Sequence, residues 1–181
     1  MMKLYDILWI LLIHSVSTIV VEIGGNPNKI VDLGFHLFPQ ISAGWEQLLA
    51  FGFPLAYMYW TYCNQRQDLL DTFLKKCAVI MIIRSICILV TILPPKQKCD
   101  LDILMFFHGG CYDKIFSGHI AYQLLAILRF RRTITNPKLI KLFIASVVFE
   151  AFLLIASREH YTIDIVIAVF VTMLVEENDK I

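Results

Sequence analysis

A long apolar run indicates the fold of this chain: Leu-Ile-Lys-Leu-Phe-Ile-Ala-Ser-Val-Val-Phe-Glu-Ala-Phe-Leu-Leu-Ile-Ala-Ser, residues 139–157. Similar apolar runs recur along the rest of the sequence. A helix that crosses about 30 Å of hydrocarbon needs about 20 residues, and this apolar run is close to that length. The chain has 181 residues, of which 58% are hydrophobic, and its mean hydropathy is +0.68. Such a composition argues against an ordinary water-soluble domain. The sequence therefore predicts a protein of the lipid bilayer.

Further apolar stretches give six candidate membrane helices. They cover approximately Leu4–Ile23, Ile41–Tyr62, Cys77–Leu93, Gly118–Phe130, Leu139–Ser157 and Tyr161–Val175. Six spans use about 120 residues and leave only short connections, so residues 1–181 are predicted to form one membrane domain. Backbone groups in lipid must be hydrogen-bonded internally, and the predicted fold is all-α, a six-helix transmembrane bundle. Lys3 before the first run also fits a signal peptide, but no clear cleavage pattern follows, and a helix is preferred.

The basic residues of the connections predict the orientation. One side holds Lys3, Arg66, Lys75, Lys76, Arg129, Arg131, Arg132, Lys138, Lys141 and Lys180; the other holds Lys29, Lys96, Lys98, Lys114 and Arg158. Because cytosolic connections are rich in Lys and Arg, both termini are expected in the cytosol. The connections around Gly110 and Arg158 then face the lumen or the cell exterior. A multi-pass protein of an endomembrane (Golgi or endoplasmic reticulum) or of the plasma membrane is expected.

Charge and cysteine content exclude two classes of partner. The formal net charge is +1, which leaves no basic surplus for holding a nucleic acid. The five cysteines show neither a zinc-ligand spacing nor a dense disulfide framework, so no metal site is expected. A disulfide between Cys99 and Cys111 on the outward side is one hypothesis.

Two polar stretches interrupt the apolar chain on the same predicted side, at residues 111–119 and 158–164. His119 opens the fourth predicted span and His160 the sixth. These spans run in the same direction, so both imidazoles are expected at one membrane level. Asp164 lies four residues after His160 and can accept a hydrogen bond from one ring nitrogen, which leaves the other free to attack. An ionisable residue in an apolar span also points to function, so His119, His160 and Asp164 are the predicted catalytic residues.

These residues resemble the motifs of the sphingomyelin synthase family, part of the lipid phosphatase and phosphotransferase superfamily. Its third motif, roughly Cys-Gly-Asp-x-x-Phe-Ser-Gly-His-Thr, is similar to residues 111–120, with departures at Tyr112 and Ile120. Its fourth, roughly His-Tyr-Thr-x-Asp-Val/Ile-x-x-Ala, is similar to residues 160–168. Its second, an Arg followed seven residues later by Thr-x-Leu-Pro, looks like residues 84–94. The resemblance spans residues 84–168, the predicted catalytic region.

The resemblance implies an enzyme without metal or other cofactor that moves a phosphocholine-type head group from a glycerophospholipid to a lipid alcohol such as ceramide. His160 is then the nucleophile that forms a phosphohistidine, Asp164 orients it, and His119 is the general acid and base. The candidate substrate-binding residues are Asp113, Ser117, Arg84 and Tyr161. Arg84 is equally well interpreted as a structural ion pair with Glu150.

Other functions stay open. A cholinephosphotransferase acting on diacylglycerol fits the motifs nearly as well. A lipid phosphatase fits less well, because its additional motif cations are missing: Leu154 stands six residues before His160, although Arg158 or Lys114 could substitute. A non-catalytic membrane scaffold is the alternative from a different class. The acceptor lipid, choline against ethanolamine, and the oligomeric state are not decided by the sequence.

Overall fold

The structure, a computed structural model, describes residues 32–42, 46–93 and 114–178, and also Trp9, Leu12, Ile13, Ser15, Val16 and Ile19. Within these residues all regular secondary structure is helical, which confirms the predicted all-α class. The helices in the three ranges are α1 (Leu33–Leu37), α2 (Glu46–Cys63), α3 (Gln67–Val90), α4 (Gly118–Thr133), α5 (Pro137–Ala156) and α6 (Thr162–Glu177).

Helices α2 to α6 correspond to the second to sixth predicted spans. Most of the first predicted span lies outside the described residues, although Trp9 and the other described positions near it are helical. The short helix α1 was not predicted. Helix α3 begins at Gln67, well before the predicted Cys77. The prediction started too late because it followed the apolar run, and the first part of the helix contains the charged residues Asp68 and Asp71.

Among the described residues, only α5 is both long and apolar enough to cross a membrane. Helices α4 and α6 have 16 residues each, and α3 contains buried charged residues. The bundle of six membrane-spanning helices therefore stays a prediction, as do the orientation and the cellular compartment.

The ends of the helices follow from local sequence. The side chain of Ser117 caps α4 by accepting from the backbone N–H of Ile120 at 3.4 Å. Asn136 caps α5 by accepting from the next backbone N–H groups, and Pro137 occupies the first helical position, where its missing N–H costs nothing. These caps fix where the helices after the two connections begin.

Helix α4 is the centre of the bundle. It packs against α2, α3, α5 and α6, and its side chains are buried on most of its circumference. Ala121 and Ala126 let neighbouring helices approach closely, while Ile120 and Leu125 fill the core. Gln123, also fully buried, donates to the hydroxyl of Ser146 on α5 at 3.3 Å. His119, at the start of this helix, is therefore mounted on the most firmly packed element.

A charged cluster joins the ends of α4 and α6 to the first half of α3, on the side of the bundle away from the histidines. Glu176 pairs with Arg132 at 2.8 Å and Arg129 at 3.0 Å, and Lys76 approaches it at 3.7 Å. The Lys76 ammonium also donates to the carbonyls of Val175, Glu176 and Asn178 at 2.7–3.0 Å, which satisfies backbone acceptors at the end of α6. We call Lys76, Arg129, Arg132 and Glu176 the Glu176 cluster.

Helix α1 lies against the junction of α5 and α6, and Gly34 permits its close approach. A Cβ atom at Gly34 would lie 2.4 Å from Thr162 Oγ1 and 2.7 Å from Ile155 Cγ2. Ile41, just after α1, donates its backbone N–H to the carbonyl of Ala156 at 3.0 Å. The segment of residues 32–42 is thus bound directly to the connection that precedes α6.

We expect Gly34→Ala to destabilise the protein by about 1–3 kcal/mol, because the added methyl group overlaps two packed atoms. Gly52→Ala is the matched control, since its Cβ would have nothing within 4 Å. That exchange, in the interior of α2, is expected to stabilise by about 0.5–1 kcal/mol. Thermal unfolding in detergent measures both, and equal stability of the two variants would contradict the tight packing at Gly34.

Candidate active site

The two predicted catalytic histidines lie side by side. The ring centroids of His119 and His160 are 5.8 Å apart, and the planes are inclined by 69°. His119 is the second residue of α4, whereas His160 lies in the connection between α5 and α6. Since Arg132 and Glu176 meet at the other ends, α4 and α6 run in the same direction. Both imidazoles can reach one phosphoryl group.

Asp164 holds His160 and the start of α6 with one oxygen. Its Oδ2 lies 3.1 Å from His160 Nδ1 and accepts the backbone N–H of Tyr161 at 2.8 Å. Asp164 is fully buried and His160 is 4% exposed. His160 was expected to open the sixth span, but it lies in the connection before α6, which begins only at Thr162. With Nδ1–H donating to the carboxylate, the assigned tautomer leaves the lone pair on Nε2.

The connection between α5 and α6 is shaped by a left-handed residue. Arg158 has φ 66°, a conformation that costs a residue with a side chain on the order of 1 kcal/mol. Its guanidinium donates to the carbonyls of Phe35 and Phe38 at 2.9 Å each and lies 4.5 Å from the centre of the Phe35 ring. After this turn, the backbone N–H of His160 donates to the carbonyl of Leu154 at 3.2 Å. Arg158 therefore shapes the connection, and its contacts direct it away from His160.

The two motif regions are joined through Ser117. Its backbone N–H donates to the carbonyl of Asp164 at 3.3 Å, and its side chain is fully buried as the cap of α4. This bond ties the residue before α4 to the first turn of α6. Ser117 thereby sets the spacing of the two histidines, while its predicted contact with substrate stays a prediction.

Arg84 reaches the same site from α3. It is 7% exposed, and its Nε donates to the carbonyl of Phe116 at 3.2 Å. A Cβ atom at Gly118 would lie 3.5 Å from that Nε, so the guanidinium crosses the start of α4 beside His119. Glu150 is fully buried in α5. The position of Arg84 agrees with a role at the phosphate, and its pairing with Glu150 stays a prediction.

Several positively charged or protonatable side chains lie near His160. Burial lowers the pKa of the His160 imidazole well below its usual value, and the nearby charges of Lys114, His119 and Arg84 act in the same direction. Lys114 lies 3.9 Å from Glu159, which links the connection before α4 to the one before α6. The field that disfavours a proton on His160 favours a bound anion such as phosphate.

The starts of α4 and α6 differ in what they can offer a phosphate. Helix α6 already directs the N–H groups of Tyr161 and Thr162 to the carboxylates of Asp164 and Asp32, both at 2.8 Å. These two N–H groups are therefore already bonded and are not available to a phosphate. The positive end of α4, beside Arg84, is the better placed of the two.

Some predicted residues fall outside the described ranges. They are Asp113, the motif residues Cys111, Tyr112 and Pro94, and Cys99 of the hypothetical disulfide. Tyr161 is described. It is 2% exposed, and its ring lies 5.2 Å from that of Phe35. Its packing against α1 adds a structural role to the predicted substrate contact.

Sequence analysis missed Asp32 and gave no role to Thr162. Asp32 caps α1 through the N–H of Phe35 and also bonds the backbone and the hydroxyl of Thr162. The Asp-Leu-Gly-Phe string could have suggested a helix cap. Its contact 130 residues away could not be read from the sequence.

We expect the acid limb of the kcat/KM profile to lie below pH of about 6.5, the ordinary imidazole value. Because the folded site lowers the pKa of His160, its Nε2 stays unprotonated at neutral pH. The nitrogen becomes protonated, and the nucleophile is lost, only at lower pH. Lys114→Gln should move the limb upward by removing a nearby positive charge, whereas Lys138→Gln on the exposed start of α5 should not. A limb at or above 6.5 in the unmodified protein would contradict this prediction.

Comparisons with known proteins bear on the same region. Residues 110–178 match the family described as PAP2 superfamily C-terminal. Phosphatidylinositol:ceramide inositolphosphotransferase 3 of Arabidopsis thaliana is 37% identical over 85 residues, which is 45% of this chain and 29% of the relative. The rice protein (Oryza sativa subsp. indica) named phosphatidylinositol:ceramide inositolphosphotransferase is 32% identical over 89 residues, 47% of this chain and 27% of the relative. The matched part thus corresponds to less than a third of either relative.

The family match covers both histidines, Asp164, and the helices that carry them. The resemblance predicted from the motifs is therefore confirmed for residues 110–178, which are similar to the family described as PAP2 superfamily C-terminal.

Proposed function

We propose that this protein is a membrane phosphotransferase that moves the phosphorylated head group of a glycerophospholipid to the primary hydroxyl of ceramide. The observation that carries the proposal is the contact of three groups: two imidazoles with centroids 5.8 Å apart, one of them held by a buried carboxylate at 3.1 Å. A nucleophile, its orienting group and a second proton carrier are what a double displacement at phosphorus needs.

In the first half-reaction, His160 Nε2 attacks the phosphorus of the donor lipid. The N–P bond forms as the bond from phosphorus to the diacylglycerol oxygen breaks, and His119 gives its proton to that oxygen. Asp164 stabilises the positive charge that develops on the His160 ring. Arg84, Lys114 and the start of α4 are positioned to stabilise the phosphoryl oxygens.

In the second half-reaction, the ceramide hydroxyl attacks the phosphohistidine. His119 takes the hydroxyl proton, the new P–O bond forms, and the N–P bond breaks to restore neutral His160. The same two histidines therefore serve both half-reactions, and the expected kinetics are ping-pong.

Different observations support the proposed acceptor and the proposed head group. Both reported relatives are named for transfer from phosphatidylinositol to ceramide, which supports ceramide as the acceptor. For the head group, those names favour inositol phosphate, whereas the resemblance to sphingomyelin synthases implied phosphocholine. We propose phosphatidylinositol as the first donor to test and phosphatidylcholine as the second.

A membrane location is supported by the outer surface of the described helices. Large apolar side chains are exposed on α5 and α6, among them Leu142 at 64%, Val148 at 65%, Phe170 at 65% and Leu174 at 67%. Contiguous exposed apolar surface of this kind is unfavourable in water and favourable in lipid. Together with α5 as a candidate span, it supports an integral membrane protein whose substrates are already in the bilayer.

The deciding experiment is a transfer assay with the purified chain in proteoliposomes. Donors labelled in the head group (phosphatidylinositol, phosphatidylcholine and phosphatidylethanolamine) are each supplied with ceramide or with diacylglycerol. Label appearing on ceramide supports the proposal and identifies the head group, whereas label moving only to diacylglycerol assigns a different acceptor. Release of phosphate from phosphatidate without lipid transfer indicates a phosphatase, and no turnover with any pair indicates a non-catalytic protein.

A further inference from the structure

The carboxylate of Asp32 links two distant parts of the chain. Its Oδ2 accepts the backbone N–H of Thr162 at 2.8 Å, and its Oδ1 accepts the hydroxyl of Thr162 at 2.8 Å and the backbone N–H of Phe35 at 3.2 Å. The Thr162 hydroxyl in turn accepts the backbone N–H of Gly34 at 3.1 Å. Asp32 is 8% exposed, so these bonds are largely shielded from water. One side chain thus caps both α1 and α6.

Thr162 is the residue through which this link reaches the site. It is the first residue of α6, next to Tyr161, whose N–H is bonded to Asp164. Asp164 stands two positions further on and holds the His160 ring. A carboxylate that fixes the backbone N–H of Thr162 therefore fixes the helical turn that carries Asp164.

Other contacts of residues 32–42 hold the opposite side of the same connection. Arg158 donates to the carbonyls of Phe35 and Phe38, and Ile41 donates to the carbonyl of Ala156. The absence of a side chain at Gly34 allows the segment to approach this closely. The connection of residues 157–161 is therefore held at both of its ends by one external segment.

We propose that Asp32 is a positioning residue for head-group transfer: through Thr162 it fixes the first turn of α6 and thereby the Asp164 carboxylate that orients His160. The inference rests on the proposed function for its kinetic consequence, since it names a residue that supports the catalytic histidine without touching the lipid. Misplacement of a catalytic group by about 1 Å can cost on the order of 100-fold in rate. Asp32 then acts on turnover and not on lipid binding.

The test compares Asp32→Asn with Thr162→Val and with the double variant. Asparagine keeps one acceptor oxygen but cannot accept both bonds from Thr162, and valine keeps the shape of threonine without its hydroxyl. Each single variant should lower kcat about 10- to 100-fold with KM changed less than about twofold. Because both variants weaken the same pair of bonds between Asp32 and Thr162, the loss in the double variant should be clearly smaller than the product of the two single losses. Thr162→Ser, which keeps the hydroxyl, should recover most of the activity.

Asp68→Asn is the control, because Asp68 is an exposed carboxylate in the first turn of α3 that pairs with Arg66 at 3.3 Å, 16 residues before Arg84 on the same helix. It should leave kcat unchanged. Wild-type kcat in Asp32→Asn, or losses in the two single variants that simply multiply in the double variant, would overturn the inference. Equal effects on kcat and KM would also overturn it.

A second readout does not need transfer activity. His160 is 4% exposed, so carbethoxylation by diethyl pyrocarbonate, followed by mass spectrometry, should be slow in the unmodified protein. It should become at least several-fold faster in Asp32→Asn at a temperature where the variant is folded. If the unmodified protein transfers no head group, the proposed function fails while this protection still tests the link. Unchanged protection of His160 in Asp32→Asn overturns the inference whatever the activity.

Discussion

His160→Ala is expected to lower head-group transfer by at least about 10⁴-fold, because it removes the atom that forms the bond to phosphorus. Transfer from labelled donor in proteoliposomes measures the loss. A base-quenched sample without acceptor should carry label on the unmodified protein and none on the variant, since the N–P bond of a phosphohistidine survives base.

His36→Ala is the matched control for that experiment. His36 is exposed on α1, so its replacement should leave both transfer and labelling unchanged. Thermal unfolding of His160→Ala in detergent shows whether the variant is folded. A folded variant that still accumulates labelled protein would assign the nucleophile to another residue.

His119→Ala is expected to lower transfer about 10²- to 10⁴-fold, the usual range for removing a general acid and base. The loss should depend on the leaving group. With a nitrophenyl ester of the same head-group phosphate, the departing nitrophenolate needs no proton, so release of nitrophenol in the first turnover should approach that of the unmodified protein.

The comparison with His160→Ala makes this second prediction specific. A variant without the nucleophile should release no nitrophenol from the activated donor, whereas a variant without the proton carrier should release one equivalent. If His119→Ala is as slow with the nitrophenyl ester as with the lipid, His119 binds or positions the donor and does not protonate the leaving group.

The placement of the histidines was accessible from the sequence because two simple facts determine it. The apolar runs predict one helix between the two helices that begin near His119 and His160. The chain therefore reverses its direction twice and returns to the same end of the bundle. The structure has one intervening helix, α5, with α4 and α6 running in one direction. The four-residue spacing to Asp164 then allowed the contact, although α6 begins at Thr162, one residue after the predicted Tyr161.

The residues that support the site were not accessible in the same way. Helix α1 has five residues, too few to show a periodic pattern, and its bonds to Thr162 join positions 130 apart. The depth of Arg84 along α3 could be counted at about 1.5 Å per residue, but the rotation of α3 about its axis could not. That rotation brings Arg84 to the carbonyl of Phe116. Such contacts depend on tertiary packing, which cannot be inferred from the residue pattern of a single sequence.

The Glu176 cluster and Asp32 have a joint consequence for the position of α6 along its own axis. Helix α6 is anchored by Asp32 at its first residue and by Lys76, Arg129 and Arg132 at its last turn. Sliding α6 by a single turn, about 5.4 Å, would break charged and hydrogen-bonded contacts at both extremities together. A piston-like shift of this helix is therefore unfavourable, which keeps His160 and the turn that carries Asp164 at one level of the bundle.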